Sequence, residues 1–366
     1  MTKALPTKDR IQEITTENGR TSYSISPTLK LKKPSCPIIG IDLGTLWAKA
    51  GLLNNPEIAY VEKVENFLSE VSSTKNRLKG SFCRKSGKSD LTVTYQGKCY
   101  SLGKSGTITG GQTNLETDKT DNIIPRILVA LTLYDIGIKE NEEIILSVAI
   151  DYKSEKDFTR KDKIIKKAVE NGLTWGTNNG ARKVRIKELT VSPEDYHAEL
   201  FSRLVSEDAP NFEDDDRATI GIGFRTLNLG IITSDGYFDD VRSISFDGKG
   251  TCLFYQWVAS ELDIGNWNTP EFINGVNSGS FRPRGESEEI DLTDALALAS
   301  GWYTEEIMGL IKQHIPSEIQ KFVIPGGGAI KFGSLLKQNL WGETAICPKS
   351  DIANCLGQVI SAAIEL

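Results

Sequence analysis

Histidine and methionine are nearly missing from this 366-residue chain, with two of each. His197 and His314 lie far apart, without metal-type partners nearby in the sequence. That argues against a zinc site and against a Ser-His-Asp triad. The six cysteines (Cys36, Cys83, Cys99, Cys252, Cys347, Cys355) form no C-x-x-C pair. No apolar N-terminal segment resembles a signal peptide, so reduced thiols in a cytoplasmic protein are expected. No apolar run reaches the length of a membrane span, which predicts no membrane association. Long basic blocks are also missing, and the net charge is −6. Direct binding of nucleic acid through a basic face is therefore not expected.

What remains is a chain with an ordinary apolar fraction of 39%, long enough for two domains or one subdivided core. Residues 1–36 are polar and rich in Lys and Thr, and read as a mobile tail. From Pro37 to Tyr60 the pattern fits a hairpin or a three-strand meander. Leu91–Tyr95 and Tyr100–Gly103, separated by Gln96-Gly97-Lys98-Cys99, read as a second hairpin. Ile123–Tyr134 has helical spacing, and Glu143–Ile150 is an apolar run expected of a strand buried on both faces. A charged helix is predicted over 154–171 and a strand over 183–191, after which Pro193 opens a helix carrying Glu194. The acidic stretch 207–216 contains Pro210 and is the best domain boundary. Helical periodicity returns over 251–262, 292–312, 333–339 and 352–364. The alternation of strands and helices favours an α/β fold.

Three segments carry chemistry. In Ile39-Gly40-Ile41-Asp42-Leu43-Gly44-Thr45, with Lys49 beyond, a strand ends in a carboxylate and a Gly-Thr turn. Successive N–H groups of such a turn can cradle a phosphate, and the carboxylate can hold a hydrated divalent cation. The same string also suits an ordinary hairpin. Thr219-Ile220-Gly221-Ile222-Gly223-Phe224-Arg225-Thr226 repeats the design later in the chain. Phe322-Val323-Ile324-Pro325-Gly326-Gly327-Gly328-Ala329 sets three glycines between a buried strand and a helix. Their backbone can approach a neighbour closely, and the helix start offers free N–H groups.

In this order and spacing the segments resemble the phosphate 1, phosphate 2 and adenosine motifs of the actin-like ATPase superfamily, most of all its ParM/StbA plasmid-segregation branch. Tyr95–Gly103 is similar to that branch's G-x-x-Y-x-v-G hairpin. Val191-Ser192-Pro193-Glu194 with Ala198 is similar to its v-x-P-E-x-x-x-A helix start. Ala353-Asn354-Cys355-Leu356-Gly357 resembles the opening of its C-terminal helix, with Ser350 where Pro is usual. The resemblance covers residues 37–366. It implies an actin-like (ribonuclease H-like) fold of two lobes, each a mixed five-stranded sheet flanked by helices, with a nucleotide cleft between. Lobe I would span 37–205, lobe II 217–345, and residues 346–366 would form a C-terminal helix returning to lobe I.

The resemblance also implies ATP and Mg²⁺ as cofactors. Asp42 would organise the metal through water, and Gly44, Thr45, Leu46 and Lys49 would meet the phosphates. Gly223, Phe224, Arg225 and Thr226 would face them from the second hairpin. Gly326, Gly327, Gly328 and Ala329 would pass beside ribose and adenine. Glu194 would orient the attacking water, a role open to a carboxylate within hydrogen-bond reach. The implied function is slow ATP hydrolysis coupled to self-assembly into filaments that segregate or position plasmid DNA through a DNA-binding adaptor.

One motif departs from the pattern. The second hairpin has Gly221 where Asp is usual, and Leu227 and Asn228 where Thr and Asp are usual. A nucleotide-binding, hydrolysis-poor scaffold is the alternative this raises. Arg225 stands either as a compensating cation near phosphate or as an exposed turn arginine. Asp214, Asp215 and Asp216 are out of register for the lost carboxylate. A small-molecule kinase of this superfamily would need a catalytic Asp beside a substrate site, and no candidate is present. A chaperone would need a substrate-binding domain after the nucleotide-binding fold.

Overall fold

The computed structural model describes residues 10–17, 19–66, 68–71, 90–103, 122–139, 141–177, 179–206, 214–265 and 267–365. Residues 1–9, Cys83 and positions 207–213 of the expected boundary loop lie outside the described residues. The first part of the chain contributes β1 (Ile11–Glu17), β2 (Arg20–Ile25), β3 (Ile38–Leu43), β4 (Trp47–Asn55), β5 (Ile58–Glu65), β6 (Ser69–Val71), β7 (Asp90–Tyr95) and β8 (Lys98–Gly103). Helix α1 (Ile123–Leu133), β9 (Glu142–Ile150), α2 (Glu155–Val169), β10 (Leu173–Thr177), β11 (Gly180–Pro193) and α3 (Tyr196–Val205) follow. The second part holds β12 (Arg217–Ile222), β13 (Thr226–Ile232), β14 (Phe238–Asp247), α4 (Thr251–Glu261), α5 (Pro270–Ser278), a short β15–β16 pair (Ser280–Phe281, Ile290–Asp291) and α6 (Thr293–His314). It closes with β17 (Lys321–Ile324), α7 (Ala329–Asn339), β18 (Glu343–Ile346) and α8 (Ala353–Glu365).

Two sheets share one plan. In the first, β3, β4 and β5 form an antiparallel meander, and β9 then β11 lie parallel on the other side of β3. In the second, β12, β13 and β14 form the meander, and β17 then β18 lie parallel beside β12. The strand orders β5-β4-β3-β9-β11 and β14-β13-β12-β17-β18 therefore correspond one to one. The central strands are buried on both faces, as their continuous apolar runs require. Five strands per sheet hold for the second lobe. The first sheet is wider: among the described residues its five-strand core is extended to eleven by β1 and β2 on one edge and by β10, β7, β8 and β6 on the other.

Residues 11–25 depart from the expected tail. β1 and β2 form a hairpin, and β2 pairs antiparallel with β5. Tyr23 and Ile25 of β2 are buried, while β1 after Ile11 faces solvent throughout. An edge strand of Thr, Glu and Gln has the composition of disorder, yet Thr suits an extended edge well. A second difference lies at Pro193. β11 runs through this residue, Glu194 and Asp195 form a turn, and the helix begins at Tyr196. Helix α5 was not anticipated; Thr269 caps it by accepting from the Phe272 N–H at 3.2 Å, with Pro270 in its first turn.

Three apolar clusters hold the architecture. One lies under α1 and α2 on the outer face of the first sheet, and one joins the second sheet to α4, α6 and α7. The third contains Ala198 and Phe201 of α3, Leu356 and Ile360 of α8, Ile38 and Ile145 of the first sheet, and Val323 and Ala345 of the second. Helices α3 and α8 thus form a greasy hinge between the lobes. The contact is close because glycine allows it: a Cβ at Gly357 would lie 2.0 Å from the His197 carbonyl oxygen. No helix among the described residues is long and apolar enough to cross a membrane.

Candidate functional site

The turns at the inner ends of β3–β4 and β12–β13 face a cavity of about 580 Å³ between the lobes. Ligand pockets typically run from about 300 to 1,000 Å³. Asp42, Gly44, Thr45, Leu46 and Lys49 line it from the first hairpin. Gly223, Phe224, Thr226 and Asn228 line it from the second, and Gly326, Gly327 and Gly328 from the loop before α7. Glu194 and its neighbour Asp195 close the hinge side. Two residues expected here are placed elsewhere. Arg225 is turned out of the cavity to a two-pronged ion pair with Asp247, its Nη2 at 2.6 Å from Oδ2. Ala329 is buried in the first turn of α7 and does not line the space.

The first hairpin is held by charge. Asp42 and Lys49 are cross-strand neighbours, and the Lys49 ammonium donates to Asp42 Oδ2 at 2.9 Å. Burial opposes the charged ammonium, but the charge and hydrogen bond of Asp42 outweigh it and raise the Lys49 pKa. The turn itself is pinned from behind. Buried Asn66 donates from its side chain to the Gly44 carbonyl at 2.6 Å and from its N–H to the Leu46 carbonyl at 2.8 Å. Buried Arg126 in turn donates to the Asn66 carbonyl at 3.2 Å. Neither Asn66 nor Arg126 was marked by any motif; their role is set by tertiary contact.

The second hairpin has the same register but not the same charge. Gly221 and Asn228 occupy the cross-strand positions that Asp42 and Lys49 hold in the first. The Asn228 amide donates to Asp195 Oδ2 at 2.9 Å and to Glu194 Oε2 at 3.3 Å. Both carboxylates thus converge on one amide at the wall of the cavity. Asp195 was overlooked in the sequence because it was read as part of a helix. Its turn conformation, with φ +71°, is held by contact with Asn354 of α8 and carries no signal in the sequence.

The glycine loop packs more tightly on protein than its sequence suggests. A Cβ at Gly326 would lie 2.5 Å from the Ile222 carbonyl oxygen, and one at Gly328 would lie 2.3 Å from Ile222 Cγ2. Gly326 also takes a φ of +91°. These two residues are glycine because the loop lies on the end of β12. Only Gly327 has open space beside its Cα.

One wall of the cavity is aromatic. Phe224 and Tyr255 have ring centroids 5.7 Å apart, and Tyr255 donates to Asn277 Oδ1 at 2.9 Å. The Lys331 ammonium lies over the Phe254 ring at 4.4 Å and the Tyr255 ring at 5.7 Å, and burial lowers its pKa. At the mouth, Lys63 and Asp351 are ion-paired. A ligand that is flat at one end and anionic at the other matches this division. The donor set also bears on a metal. Among the described residues no three His, Cys, Asp or Glu side chains converge to ligate one directly. Asp42, Glu194 and Asp195 suit a hydrated divalent cation carried by a polyphosphate, since such a cation keeps several of its waters.

No protein-family profile matches the sequence, and no curated protein matches it. The fold, by contrast, has close counterparts among solved structures. A ParM filament from Clostridium botulinum superposes with a TM-score of 0.66 at 16% identity, over 91% of this chain and 100% of that one. The actin-like protein Alp7A gives 0.68 at 12% identity, over 90% and 96%. Ta0583, an archaeal actin homologue solved with ADP, gives 0.63 at 16% identity, over 89% and 98%. The chain has the actin-like fold.

Proposed function

We propose that this protein is a ParM-like actin homologue that binds ATP with Mg²⁺ in the cleft and assembles with copies of itself into filaments. The observation that carries the reading is the convergence on one cavity of two strand-turn-strand phosphate cradles, a glycine loop at a helix start and the hinge carboxylates. The phosphates would meet the turns Gly44–Leu46 and Gly223–Thr226, with Lys49 beside them. The base would lie toward Tyr255, Ile330 and Lys331. Mg²⁺ would neutralise charge on the β- and γ-phosphates, with Asp42 holding its waters. Glu194 would orient a water for attack, acting as a general base. The likeness to a ParM filament and to an ADP-bound actin homologue supports this reading. Segregation of plasmid DNA through a separate DNA-binding adaptor extends the proposal, because the chain itself is acidic and has no long basic block.

Sedimentation with ATP, with ADP and without nucleotide, run beside a phosphate-release assay, tests it. Pelleting with ATP and release of phosphate are expected. Pelleting without release turns the reading to the hydrolysis-poor scaffold. A protein that neither binds nucleotide nor pellets overturns both readings.

A further inference from the structure

The two hairpins are alike in register and unlike in charge, and the structure shows what fills the difference. In the first, the residue opposite Lys49 is Asp42, and its carboxylate reaches the cavity. In the second, the residue opposite Asn228 is Gly221, which has no side chain. The space beside Gly221 is nevertheless full. A Cβ built there would lie 1.7 Å from Asp195 Oδ2 and 2.4 Å from Asp195 Cγ. Asp195 comes from another part of the chain, the turn between β11 and α3.

The setting of Asp195 indicates what its carboxylate does. The residue is only 4% exposed, yet it lines the cavity. It takes a left-handed φ of +71°, a conformation that Asp tolerates better than most residues. Although it stands at the cap position of α3, its side chain makes no capping bond to the helix. The carboxylate instead crosses to the second lobe and accepts from Asn228 at 2.9 Å. Its backbone N–H donates to Asn354 Oδ1 at 3.0 Å, which fixes the turn from α8.

We propose that Asp195 is the carboxylate of the second hairpin, delivered from the hinge loop into the place that Gly221 leaves open. In the nucleotide reading, on which this rests, Asp195 is a positioning residue. It orients waters of the phosphate-bound divalent cation from the hinge side of the cleft, beside the second hairpin. Gly221 then marks a carboxylate moved, and not a carboxylate lost. Any side chain at 221 would force the Asp195 carboxylate out of its present position.

The test transposes the group. ATP affinity is measured by calorimetry with Mg²⁺ and with EDTA, for wild type, Asp195→Asn, Asp195→Gly, Gly221→Asp and the double variant Asp195→Gly/Gly221→Asp. Glycine at 195 suits the left-handed backbone, so the double variant changes only where the carboxylate is rooted. The gain in affinity that Mg²⁺ confers is expected to fall about 10- to 100-fold in Asp195→Asn and Asp195→Gly, the usual effect of removing a group that orients a metal's shell. The double variant is expected to recover most of it. Thermal unfolding gives an independent reading: Gly221→Asp alone should destabilise the protein strongly, and Asp195→Gly should suppress that damage. A full Mg²⁺ response in Asp195→Asn and Asp195→Gly, or a folded double variant that fails to recover it, overturns the proposal while leaving the nucleotide reading intact. A wild-type protein that binds no ATP overturns that reading, and this proposal with it.

Discussion

Asp42 holds Lys49 and, in the proposed nucleotide reading, would also organise the metal; replacing it with alanine should separate the two tasks. Its carboxylate is 5% exposed and holds the Lys49 ammonium, itself 15% exposed, at 2.9 Å. Removing one partner of a buried pair typically costs about 3–5 kcal/mol, because the other charge is left unpaired. Lys49 stands at the wall of an open cavity, so we expect the low end, about 3 kcal/mol. Adding Lys49→Met removes the stranded charge and should return stability to within about 1 kcal/mol of wild type. The second task is not restored by that repair. Saturating MgATP at about 100 times its Kd stabilises a binding protein by about 2.7 kcal/mol. Wild type should gain this increment in urea denaturation, whereas Asp42→Ala and the double variant should gain almost none. An Asp42→Ala cost below about 1 kcal/mol would refute the buried-pair argument. Full stabilisation of the double variant by MgATP would refute the placement of the phosphates at this hairpin.

Two further outcomes are expected. Burial holds the His197 pKa down to about 4, and neither ring nitrogen has a hydrogen-bond partner among the described residues. The unfolded chain takes up this proton near pH 6.5. Between those values the unfolded state binds more protons, so stability falls as pH is lowered, by up to ~1.4 kcal/mol per unit and about 3 kcal/mol in total. His197→Leu should remove that component of the slope in urea titrations from pH 7.5 to 4.5, and equal slopes would count against it. Arg225→Ala should leave ATP affinity almost unchanged and lower stability by no more than about 1 kcal/mol, since its ion pair with Asp247 is partly exposed. A tenfold loss of affinity would return Arg225 to the phosphate site.

The parts of the fold legible in sequence are those set by local periodicity. The β3–β4–β5 meander, the run of β9 and the amphipathic α2 each carry their own pattern. In α2, Ser154 caps the start by accepting from the Asp157 N–H at 3.3 Å, and Lys166 and Lys167 stand in the last turn. The hairpin β1–β2 was hidden because its stability comes from β5, which lies beyond it in the chain. Pro193-Glu194 misled for a related reason. Proline before an acidic residue suits a first helical turn, but here Glu194 N–H donates to the Ile150 carbonyl at 2.8 Å and extends the sheet edge by one bond. Gly326 and Gly328 are sites of close approach, but the neighbour is Ile222, while Gly327 faces open space.

The correspondence of the two sheets makes the asymmetry of the site informative. Two lobes of one plan bring two equivalent hairpins to face each other, so a cleft between them follows from the topology. Equivalent hairpins need not carry equivalent chemistry. Asp42, Lys49, Glu194 and Asp195 all come from β3, β4 or the turn after β11, hence from the first lobe. At the matching places the second lobe offers a glycine and a neutral amide, Gly221 and Asn228. Asn228 is itself fixed, accepting from Ser245 at 2.7 Å while it donates to both carboxylates. The carboxylates and Lys49 are therefore assembled within one lobe, and the other lobe supplies shape, backbone, the Lys331 ammonium over its aromatic rings and one amide that touches both hinge carboxylates. Asn228 is the point at which a movement of the second lobe would be felt by Glu194 and Asp195 together.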